Sequence, residues 1–488
     1  MDDPDRRFAI GSVSMIATGH PLAAAAARHA LAEGGSAVDA AVAADAVLGV
    51  VEPMATGIGG DLLAMIVEPD GQAVAYNGTG RAPASLSAER VAQMPGGRIP
   101  ERHPWSVTVP GAVCGWHDLH QRYGRLEWPR LLRDAITLAR TGFAVAPVAA
   151  REWKLFEPVL KADPTAAALY RHGRVPAAGE VFANPELAEF LARIARDGYR
   201  AFYDGSAAEA MAAAVRARGG LLGADDLAAH AGNFCVPLRG EFCGVTVLEC
   251  PPNTHGCAVI DALLSLEAFA REEGTPQAVA ALVEATGRAL QTASKTVADP
   301  SGNTVCTVIV DRDGLAITLM SSIFKRFGSA IAVPGLGFVL QNRGFGFSAP
   351  GHPNGPAGGK RPYHTVIPAA CLREGRFHAG LGVVGGLMQP QGQVQLLTRL
   401  FAWGEPLREA IAAPRWRLEG GRALALETGF PADAAALLRE RGFGEPAAGE
   451  GDLAGRSDFG GAQVVLRLPD GSLAGASDPR KDGVALAD

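Results

Sequence analysis

The stretch TVCTVIVDRDGLAITLMSSIF, residues 304–324, decides the fold. It contains two runs rich in Val, Ile, Leu and Thr, with Asp311-Arg312-Asp313-Gly314 between them. β-Branched runs that flank an Asp–Gly turn are typical of a β-hairpin. The residues Pro300-Ser301-Gly302-Asn303 break regular structure just before it, so we expect the first strand to run from Thr304 to Val310.

Toward the N-terminus, the sequence predicts two helices followed by a second hairpin. Residues 20–52 predict two helices, the first ended by Gly34-Gly35 and the second begun by Ser36 as its N-cap. The glycine-rich turn TGIGGD (56–61) follows. The next run, LLAMIVEPDGQAVAYNG (62–78), predicts a second hairpin with a Pro-Asp-Gly turn.

The rest of the chain mixes helices and strands. Its middle shows the 3.6-residue apolar spacing of Ala-rich helices, and after residue 324 strands alternate with glycine-rich loops. Two later helices are predicted at 392–403 and 432–442. Paired strands together with long helices indicate an α+β fold in which helix layers cover stacked sheets.

Composition restricts the class of protein. The 488 residues are 48% apolar and 20% charged with a formal net charge of −6, which is ordinary for a globular enzyme and argues against nucleic-acid binding. No apolar run is long enough to predict a membrane span. The N-terminal MDDPDRRFAIGSVSM lacks the apolar core of a secretory signal, so we expect a cytoplasmic protein. The seven cysteines, without C-x-x-C spacing, are expected to be reduced.

Other types of site have weak signals. Cys243, Cys250 and Cys257 lie in strand-like sequence and are expected to be small buried side chains rather than metal ligands. His117 and His120 share a predicted helix, but no further ligands with zinc spacing accompany them. GIGG and GLGVVGG lack the patterns of nucleotide-binding loops. We therefore expect neither a metal nor an organic cofactor.

Thr304 opens the decisive strand, where a threonine can serve as a nucleophile. A hydroxyl needs a base to take its proton, and an N-terminal threonine carries one in its α-amine, which titrates at about pH 8. Creating that terminus inside a precursor requires self-cleavage, in which the hydroxyl attacks the preceding carbonyl and water resolves the ester. Taken alone, Thr304 is more typical of an ordinary strand residue than of a nucleophile.

From His20 to Gly483 the chain resembles the γ-glutamyltranspeptidase family. The matching stretches follow the family's order: GHPLAAAAARHALAEGGSAVDAAVAA, VVEPMATGIGGD, SVTVPGAVCGW, GLLGADDLAAH, TVIVDRDG, FGSAIAVPG, KRP, APRW and GASDPR. The resemblance implies a four-layer αββα sandwich of the N-terminal-nucleophile hydrolase type. It also implies that the protein is an amidohydrolase.

The resemblance implies roles for individual residues as well. It places self-cleavage between Asn303 and Thr304, with Thr304 as the nucleophile. Residues 1–303 would then form a large subunit and residues 304–488 a small one, together making one αββα unit. It assigns the backbone N–H groups that hold the oxyanion to Gly385-Gly386, and the hydroxyl that supports the nucleophile to Ser322.

The residues matching the family's acyl pocket depart from its pattern. For an α-amino acid the family uses an arginine, two serines and an acidic residue; the matching positions here are Thr79, His364-Thr365 and Phe345. Phe324 stands where the family has an asparagine near the nucleophile. Burying an ammonium group without a carboxylate partner costs several kcal/mol, so a γ-glutamyl substrate is disfavoured.

The replacements instead resemble a divergent branch of the family that includes oxamate amidohydrolase, as judged from LQNRG, GHPN, KRPYHT and MQPQGQ. We therefore expect the substrate to be a small acid amide without an α-amine. Candidate groups for holding its acid are Arg81, Arg343, His364 and Lys325-Arg326, with Thr365 and Phe345 beside them. Each charged group also fits a surface ion pair.

Two alternatives stay open: a γ-glutamyl hydrolase or transpeptidase acting on glutathione-like substrates, and an unprocessed relative that binds without catalysis. The linker bears on the second, since only Ser301-Gly302-Asn303 separate Ala298-Asp299-Pro300 from Thr304, fewer residues than the family has. The expected partners are the two subunits of the precursor and a small amide, with no nucleic acid and no membrane. The sequence does not decide whether the processed pair forms homo-oligomers.

Overall fold

The hairpin predicted at residues 304–324 lies in the middle of a sheet. In the computed structural model, which describes residues 4–266, 272–297, 303–444 and 459–488, strand β10 spans Asn303–Val310 and β11 spans Ala316–Phe324. Asp311 closes the turn, because its Oδ1 accepts hydrogen bonds from the N–H groups of Asp313 and Leu315 at 3.0 and 3.1 Å. The hairpin is confirmed, while the breaker residues 300–302 lie outside the described residues.

Two seven-stranded antiparallel sheets form the centre of the fold. The first sheet contains, in spatial order, β18 (Val484–Ala487), β2 (Met15–Thr18), β10, β11, β3 (Asp61–Val67), β4 (Ala73–Asn77) and β7 (Asn233–Cys235). The second contains β1 (Phe8–Gly11), β17 (Leu473–Ser477), β16 (Gly461–Arg467), β13 (Arg376–Val384), β12 (Ala369–Arg373), β9 (Val245–Glu249) and β8 (Leu238–Phe242). Two short hairpins are separate: β5 (Phe143–Ala144) with β6 (Val181–Phe182), and β14 (Trp416–Gly420) with β15 (Ala423–Leu426).

Helices form the two outer layers. Those that pack on the first sheet are α1 (Pro21–Ala32), α2 (Ala37–Val51), α4 (Ala112–Tyr123), α5 (Trp128–Thr141), α6 (Pro147–Leu155), α7 (Glu157–Ala162), α8 (Pro164–Tyr170), α9 (Pro185–Asp197), α10 (Arg200–Tyr203), α11 (Gly205–Arg216) and α12 (Ala224–Ala228). Those on the second sheet are α13 (Gly256–Leu266), α14 (Pro276–Thr296), α15 (Met388–Leu397), α16 (Leu407–Ala412) and α17 (Ala432–Glu440). The short α3 (Ala88–Ala92) belongs to a small separate cluster.

The sheets stack face to face because each strand of the centre has two apolar faces. Met65, Cys306 and Val308 belong to the cluster between the sheets, whereas Val305 and Ile309 of the same strand β10 pack against the helices of the first layer. The burial of alternate residues on opposite faces follows from the two-residue period of a strand. The predicted α+β class and the four-layer αββα sandwich are confirmed.

The helices predicted at residues 20–52 are confirmed together with their ends. Gly34 has φ of +91°, and Ser36 caps α2 in a capping box with Asp39. The helix predicted at 392–403 begins earlier, at Met388, and continues as one π-helical turn over Thr398–Ala402. In the described part of the chain, no helix is both long and apolar enough to cross a membrane.

Candidate active site

Thr304 lies at the start of β10 and is buried. Its Oγ1 accepts a hydrogen bond of 2.8 Å from Nε2 of Gln389. The amide of Gln389 is held in this orientation, because its Oε1 accepts the N–H of Ile367 at 3.2 Å. Since the Thr304 oxygen already accepts from Gln389, its own proton remains available for donation to a base.

A β-bulge lies beside Thr304. Between Asn303 and Val305 the pairing with β11 slips by one residue, so that Thr304 alone faces Ser322 and Ile323. Phe324, the next residue, has φ of +76°, a left-handed conformation that is costly for a bulky side chain. The Oγ of Ser322 accepts the N–H of Phe324 at 2.9 Å and thereby stabilises this bend.

A glycine turn leads from β13 into α15, the helix that carries Gln389. Gly385 and Gly386 have φ of +116° and +62°, values that favour glycine. A Cβ on Gly385 would lie 3.2 Å from Cα of Gly460 and from Cβ of Met388. Within the described structure neither N–H of the two glycines has a hydrogen-bond acceptor. Both donors are therefore available to an oxyanion.

Asp61, at the start of β3, is the centre of a buried polar cluster. Its Oδ1 accepts the N–H of Gly80 and Nε2 of Gln341, both at 2.8 Å. Its Oδ2 lies 3.3 Å from Nε2 of His364 and 3.7 Å from Nε of Arg343. Burial alone would raise the pKa of Asp61, but the hydrogen bond from His364 and the charge of Arg343 hold the pKa below its ordinary value. Asp61 is therefore a buried carboxylate at neutral pH.

The pairing of β3 with β11 places this cluster beside Thr304. Asp61 stands opposite Ser322, and Ser322 faces Thr304 across the bulge. The guanidinium of Arg343 lies 4.1 Å from the ring centre of Phe324, two residues beyond Ser322. Three neighbouring strands thus bring two hydroxyls and a carboxylate to the same end of the first sheet, and the short 3₁₀ helix Arg343–Gly346 adds a guanidinium.

Arg343 is a buried cation with unused hydrogen-bonding capacity. NH1 donates to Oγ1 of Thr365 at 3.3 Å. Nε and NH2 are buried and have no hydrogen-bond partner among the described residues. Burial lowers the pKa of Arg343 to about 10, so the side chain stays charged. A buried arginine with two nitrogens that make no hydrogen bond is the arrangement expected where a ligand's planar carboxylate binds.

His364 is neutral and donates a hydrogen bond to Asp61. Its Nδ1 accepts the N–H of Val366 at 3.1 Å, which leaves the proton on Nε2 for donation to Asp61. Burial and the nearby charge of Arg343 lower the pKa of His364 to about 4. At neutral pH the ring therefore has no charge with which to hold an acid, and it orients the carboxylate beside Arg343.

Arg81 lies outside this cluster. Its side chain is exposed, and NH1 donates to the carbonyl of Gly359 at 3.0 Å. Thr79, which stands where the family has an arginine, is buried, and its carbonyl accepts Nε of Arg361 at 2.9 Å. Arg361 of the KRP motif therefore supports this loop, and the structure does not bring Arg81 to Arg343.

Lys325 and Arg326 point in different directions. Arg326 is buried and pairs with Glu152 at 2.6 Å, which gives it a structural role between the layers. Lys325 lies 3.4 Å from a carboxylate oxygen of Glu101, and its Nζ is 5.3 Å from the ring centre of Phe345. The ring of Phe345 is partly exposed and lies near that of Phe324. Of this pair of cations, only Lys325 adjoins the site.

The side chains considered as zinc ligands have other contacts. His117 stacks on Tyr199 with ring centres 3.8 Å apart, and Nε2 of His120 lies 2.7 Å from the carbonyl of Leu126. No group of three or more His, Cys, Asp or Glu side chains in the described residues is placed to hold a metal. All seven cysteines are free thiols.

Sequence reasoning missed Asp61, Gln341 and Gln389, although it quoted the segments that contain them. A sequence signal was available for Asp61, which opens the apolar strand DLLAMIV, in which all seven residues are buried. A polar residue in such apolar surroundings must find buried partners, and those partners are often functional groups. Gln389 gave no such signal, because MQPQGQVQLL is rich in glutamine, although every residue of the helix is buried.

The chain is similar to known proteins along its whole length. The family described as Gamma-glutamyltranspeptidase matches residues 23–308 and 300–488. Oxamate amidohydrolase proenzyme of Klebsiella pneumoniae is 34% identical over 98% of each chain. Glutathione hydrolase-like YwrD proenzyme of Bacillus subtilis is 31% identical over 98% of this chain and 99% of its own. The crystal structure of cephalosporin acylase from Bacillus halodurans superposes with a TM-score of 0.93 at 32% identity, covering 100% of this chain and 99% of its own.

Proposed function

The chain belongs to the γ-glutamyltranspeptidase family, and we propose that Thr304 is its nucleophile and that its substrate is an amide of a small acid bearing a carboxylate. The wider class is established by the relatives: the protein is an enzyme, a self-processing amidohydrolase whose precursor is cleaved into a large and a small subunit. The cleaved bond, the nucleophile and the substrate are proposals.

The observation that carries the choice of nucleophile is the hydrogen bond from Gln389 to Thr304. A buried hydroxyl that already accepts a hydrogen bond donates its proton to a base, and after cleavage at Asn303 the α-amine of Thr304 is that base. The amine accepts the proton while Oγ1 attacks the amide carbon. The N–H groups of Gly385-Gly386 then hold the oxyanion, and one such donor contributes about 3–4 kcal/mol.

The rest of the reaction releases the two halves of the amide. The protonated α-amine of Thr304 donates its proton to the departing nitrogen, so that an amine or ammonia leaves and an ester of Thr304 remains. The α-amine of Thr304 then accepts a proton from water, and the resulting hydroxide attacks the ester carbon. The free acid leaves and Oγ1 regains its proton, so one water is consumed for each amide cleaved.

Arg343 supports the choice of acid. Two nitrogens of its guanidinium have no hydrogen-bond partner among the described residues, and it lies on Phe324, which pairs with Asn303 next to Thr304. This suits a carboxylate near the scissile carbonyl. The cluster has no place for an α-ammonium group. Phe345 stands where the family has its acidic residue, and Asp61 already interacts with Gly80, Gln341, His364 and Arg343. A small acid amide such as oxamate is favoured over a γ-glutamyl compound.

Intact mass of the purified protein tests the nucleophile. Two fragments that meet at Asn303/Thr304 are expected for the wild type, a single chain for Thr304→Ala, and two fragments again for Thr304→Ser, which keeps a hydroxyl. One uncut chain in all three would exclude Thr304 as the self-cleaving residue and would favour the alternative of a binding protein.

Turnover of two substrates tests the acid. We expect the processed enzyme to release ammonia from oxamate and to leave a γ-glutamyl anilide nearly intact. Brisk cleavage of the anilide, with little release from oxamate, would replace the proposed substrate by the family's γ-glutamyl group.

A further inference from the structure

A cavity of about 630 Å³ lies against the candidate active site on the side of the second helix layer. Its apolar lining includes Val283, Leu290, Tyr363, Leu387, Leu418 and Phe443. Ligand pockets for small molecules have volumes of about 300–1,000 Å³ and linings of this kind. The cavity is therefore large enough for a substantial group, such as a substituted aromatic ring.

Two residues of the cavity lining are immediate neighbours in sequence of residues of the site. Leu387 directly follows Gly386, whose N–H is available to the oxyanion, and Tyr363 directly precedes His364 of the Asp61 cluster. The hydroxyl of Tyr363 is hydrogen-bonded to His255, which fixes the wall at this point. These two neighbours place one wall of the cavity beside the glycine turn and beside the Asp61 cluster.

A glycine in the middle of α14 keeps the cavity open. Gly287 belongs to the 21-residue helix α14 and lines the cavity, and its φ is not in the left-handed region. A Cβ added there would meet only Cδ1 of Leu418, at 3.4 Å, within 4 Å. Glycine destabilises a helix interior relative to alanine, and neither backbone conformation nor crowding requires it here. The remaining physical effect of glycine at this position is to leave the volume unfilled.

The charges around the cavity favour an anionic occupant. Its two glutamates each pair with an arginine that is not part of the lining: Glu284 with Arg441, and Glu419 with Arg417. Arg422 contacts the ring of Phe443 and the carbonyl of Arg441. Arg288 is exposed and has no ion pair among the described residues. Among the described residues, the two arginines of the lining, Arg288 and Arg422, therefore have no ion pair with a carboxylate.

We propose that this cavity binds the amine half of the amide, so that the preferred substrate carries on its nitrogen a bulky, mainly apolar group with a negative charge. The proposal rests on the proposed function and deepens it. The proposed function anchors a short acid at Arg343, whose guanidinium contacts the ring of Phe324 and the hydroxyl of Thr365. The large volume beyond Leu387 then accommodates the substituent on the amide nitrogen. The amine that carries this substituent takes one proton and leaves as a primary amine.

The test compares oxamate with its N-phenyl derivative, oxanilate, in the processed enzyme. Gly287→Phe places a ring in the cavity, Gly287→Ala adds one methyl group, and Thr292→Phe places the same ring on an exposed position of α14 outside the cavity. Because anilides and primary amides differ in intrinsic reactivity, the measured quantity is the ratio of kcat/KM for oxanilate to that for oxamate, compared between variants.

Gly287→Phe is expected to lower this ratio at least about tenfold, the effect of excluding a buried group of this size. Gly287→Ala is expected to change it less than threefold, and Thr292→Phe not at all. An equal ratio in wild type and Gly287→Phe would overturn the proposal. Thermal unfolding of each variant verifies that it is folded, and Ser294→Trp, at another position of the lining, replaces Gly287→Phe if that variant is not.

Failure of the proposed function gives a different result. If neither compound is hydrolysed, calorimetry of the same two compounds still tests whether the cavity binds the N-phenyl group. Binding of oxanilate to the wild type at least tenfold more tightly than to Gly287→Phe supports the proposal, and equal affinities reject it. For the charge, 4-carboxy-oxanilate is expected to be preferred over its 4-trimethylammonio analogue, and Arg288→Gln is expected to reduce that preference. The opposite preference would overturn the anionic part of the proposal.

Discussion

Replacement of Arg343 gives the sharpest test of the site, because two nitrogens of this buried cation lack a hydrogen-bond partner in the described structure. If they bind the substrate's carboxylate, Arg343→Met removes hydrogen bonds to a charged group that contribute about 1.5–3 kcal/mol each. At 1.4 kcal/mol per factor of ten, kcat/KM for oxamate should fall at least about tenfold, and about a hundredfold if both bonds are lost. Propanamide, which has no carboxylate, should change less than threefold.

The same replacement also affects folding, and this effect can be separated. Arg343→Met leaves the Asp61 carboxylate with its hydrogen bonds from Gly80, Gln341 and His364 but without the cation at 3.7 Å. Breaking a buried ion pair in this way costs about 3–5 kcal/mol in well-formed cases, and less is expected at this distance. The double variant Asp61→Asn/Arg343→Met removes both charges and should recover stability in urea unfolding, while its activity on oxamate stays low.

Arg343→Lys is the matched control, since lysine keeps the charge near Asp61 but lacks the planar fork that fits a carboxylate. Its stability should lie near that of the wild type, with kcat/KM for oxamate between wild type and Arg343→Met. An equal loss on oxamate and propanamide, or a double variant that regains both stability and oxamate turnover, would refute the role of Arg343 in binding the acid.

Three further predictions concern catalysis and stability. Gly385 has φ of +116°, so Gly385→Ala should force the oxyanion donors to shift. In the processed enzyme kcat should fall about a hundredfold or more, with a smaller effect on KM, and a normal kcat would exclude the turn from the reaction. Gln389→Leu should slow both self-cleavage and turnover about tenfold by removing the donor to Thr304, as followed by intact mass and steady-state rates; unchanged rates would leave Gln389 a structural residue. His230 is buried without a hydrogen-bond partner in the described structure, and burial lowers its pKa to about 4. His230 therefore binds a proton more readily in the unfolded chain, and the folded state loses stability as pH falls from about 6.5 toward 4. Relative to wild type, the free energy of unfolding of His230→Phe in urea should be about 2–3 kcal/mol more favourable to the folded state at pH 4.5 than at pH 7.5, and an unchanged pH dependence would contradict this.

Local signals account for much of the fold. The hairpin at residues 304–324 was predictable because β-branched runs and an Asp–Gly turn act within a few residues of one another. Ser36 and Gly34 marked the helix ends for the same reason, since a cap bonds within its own turn. The start of α15 at Met388 was missed, because its buried glutamines bond to distant backbone and give no apolar periodicity.

Assigning roles to the basic residues required the tertiary structure. Arg81, Arg326 and Arg343 are all arginines near quoted motifs, and nothing local distinguishes them. The structure leaves Arg81 exposed, pairs Arg326 with Glu152, and buries Arg343 with two nitrogens that lack a hydrogen-bond partner among the described residues. Such differences depend on which strands become neighbours, and therefore on contacts between residues far apart in the chain.

The sequence by itself determined the class of protein: a hairpin that opens with Thr304, the motifs of a self-processing hydrolase, and the absence of an acidic residue at Phe345. Only the tertiary structure decided which groups surround Thr304. Asp61 reaches Ser322 through strand pairing, Gln389 reaches Thr304 across 85 positions, and the cavity beside Leu387 exists only where α14 packs on the second sheet. Hydrogen bonds, burial and pKa depend on distance in space, which a linear pattern of residues does not encode.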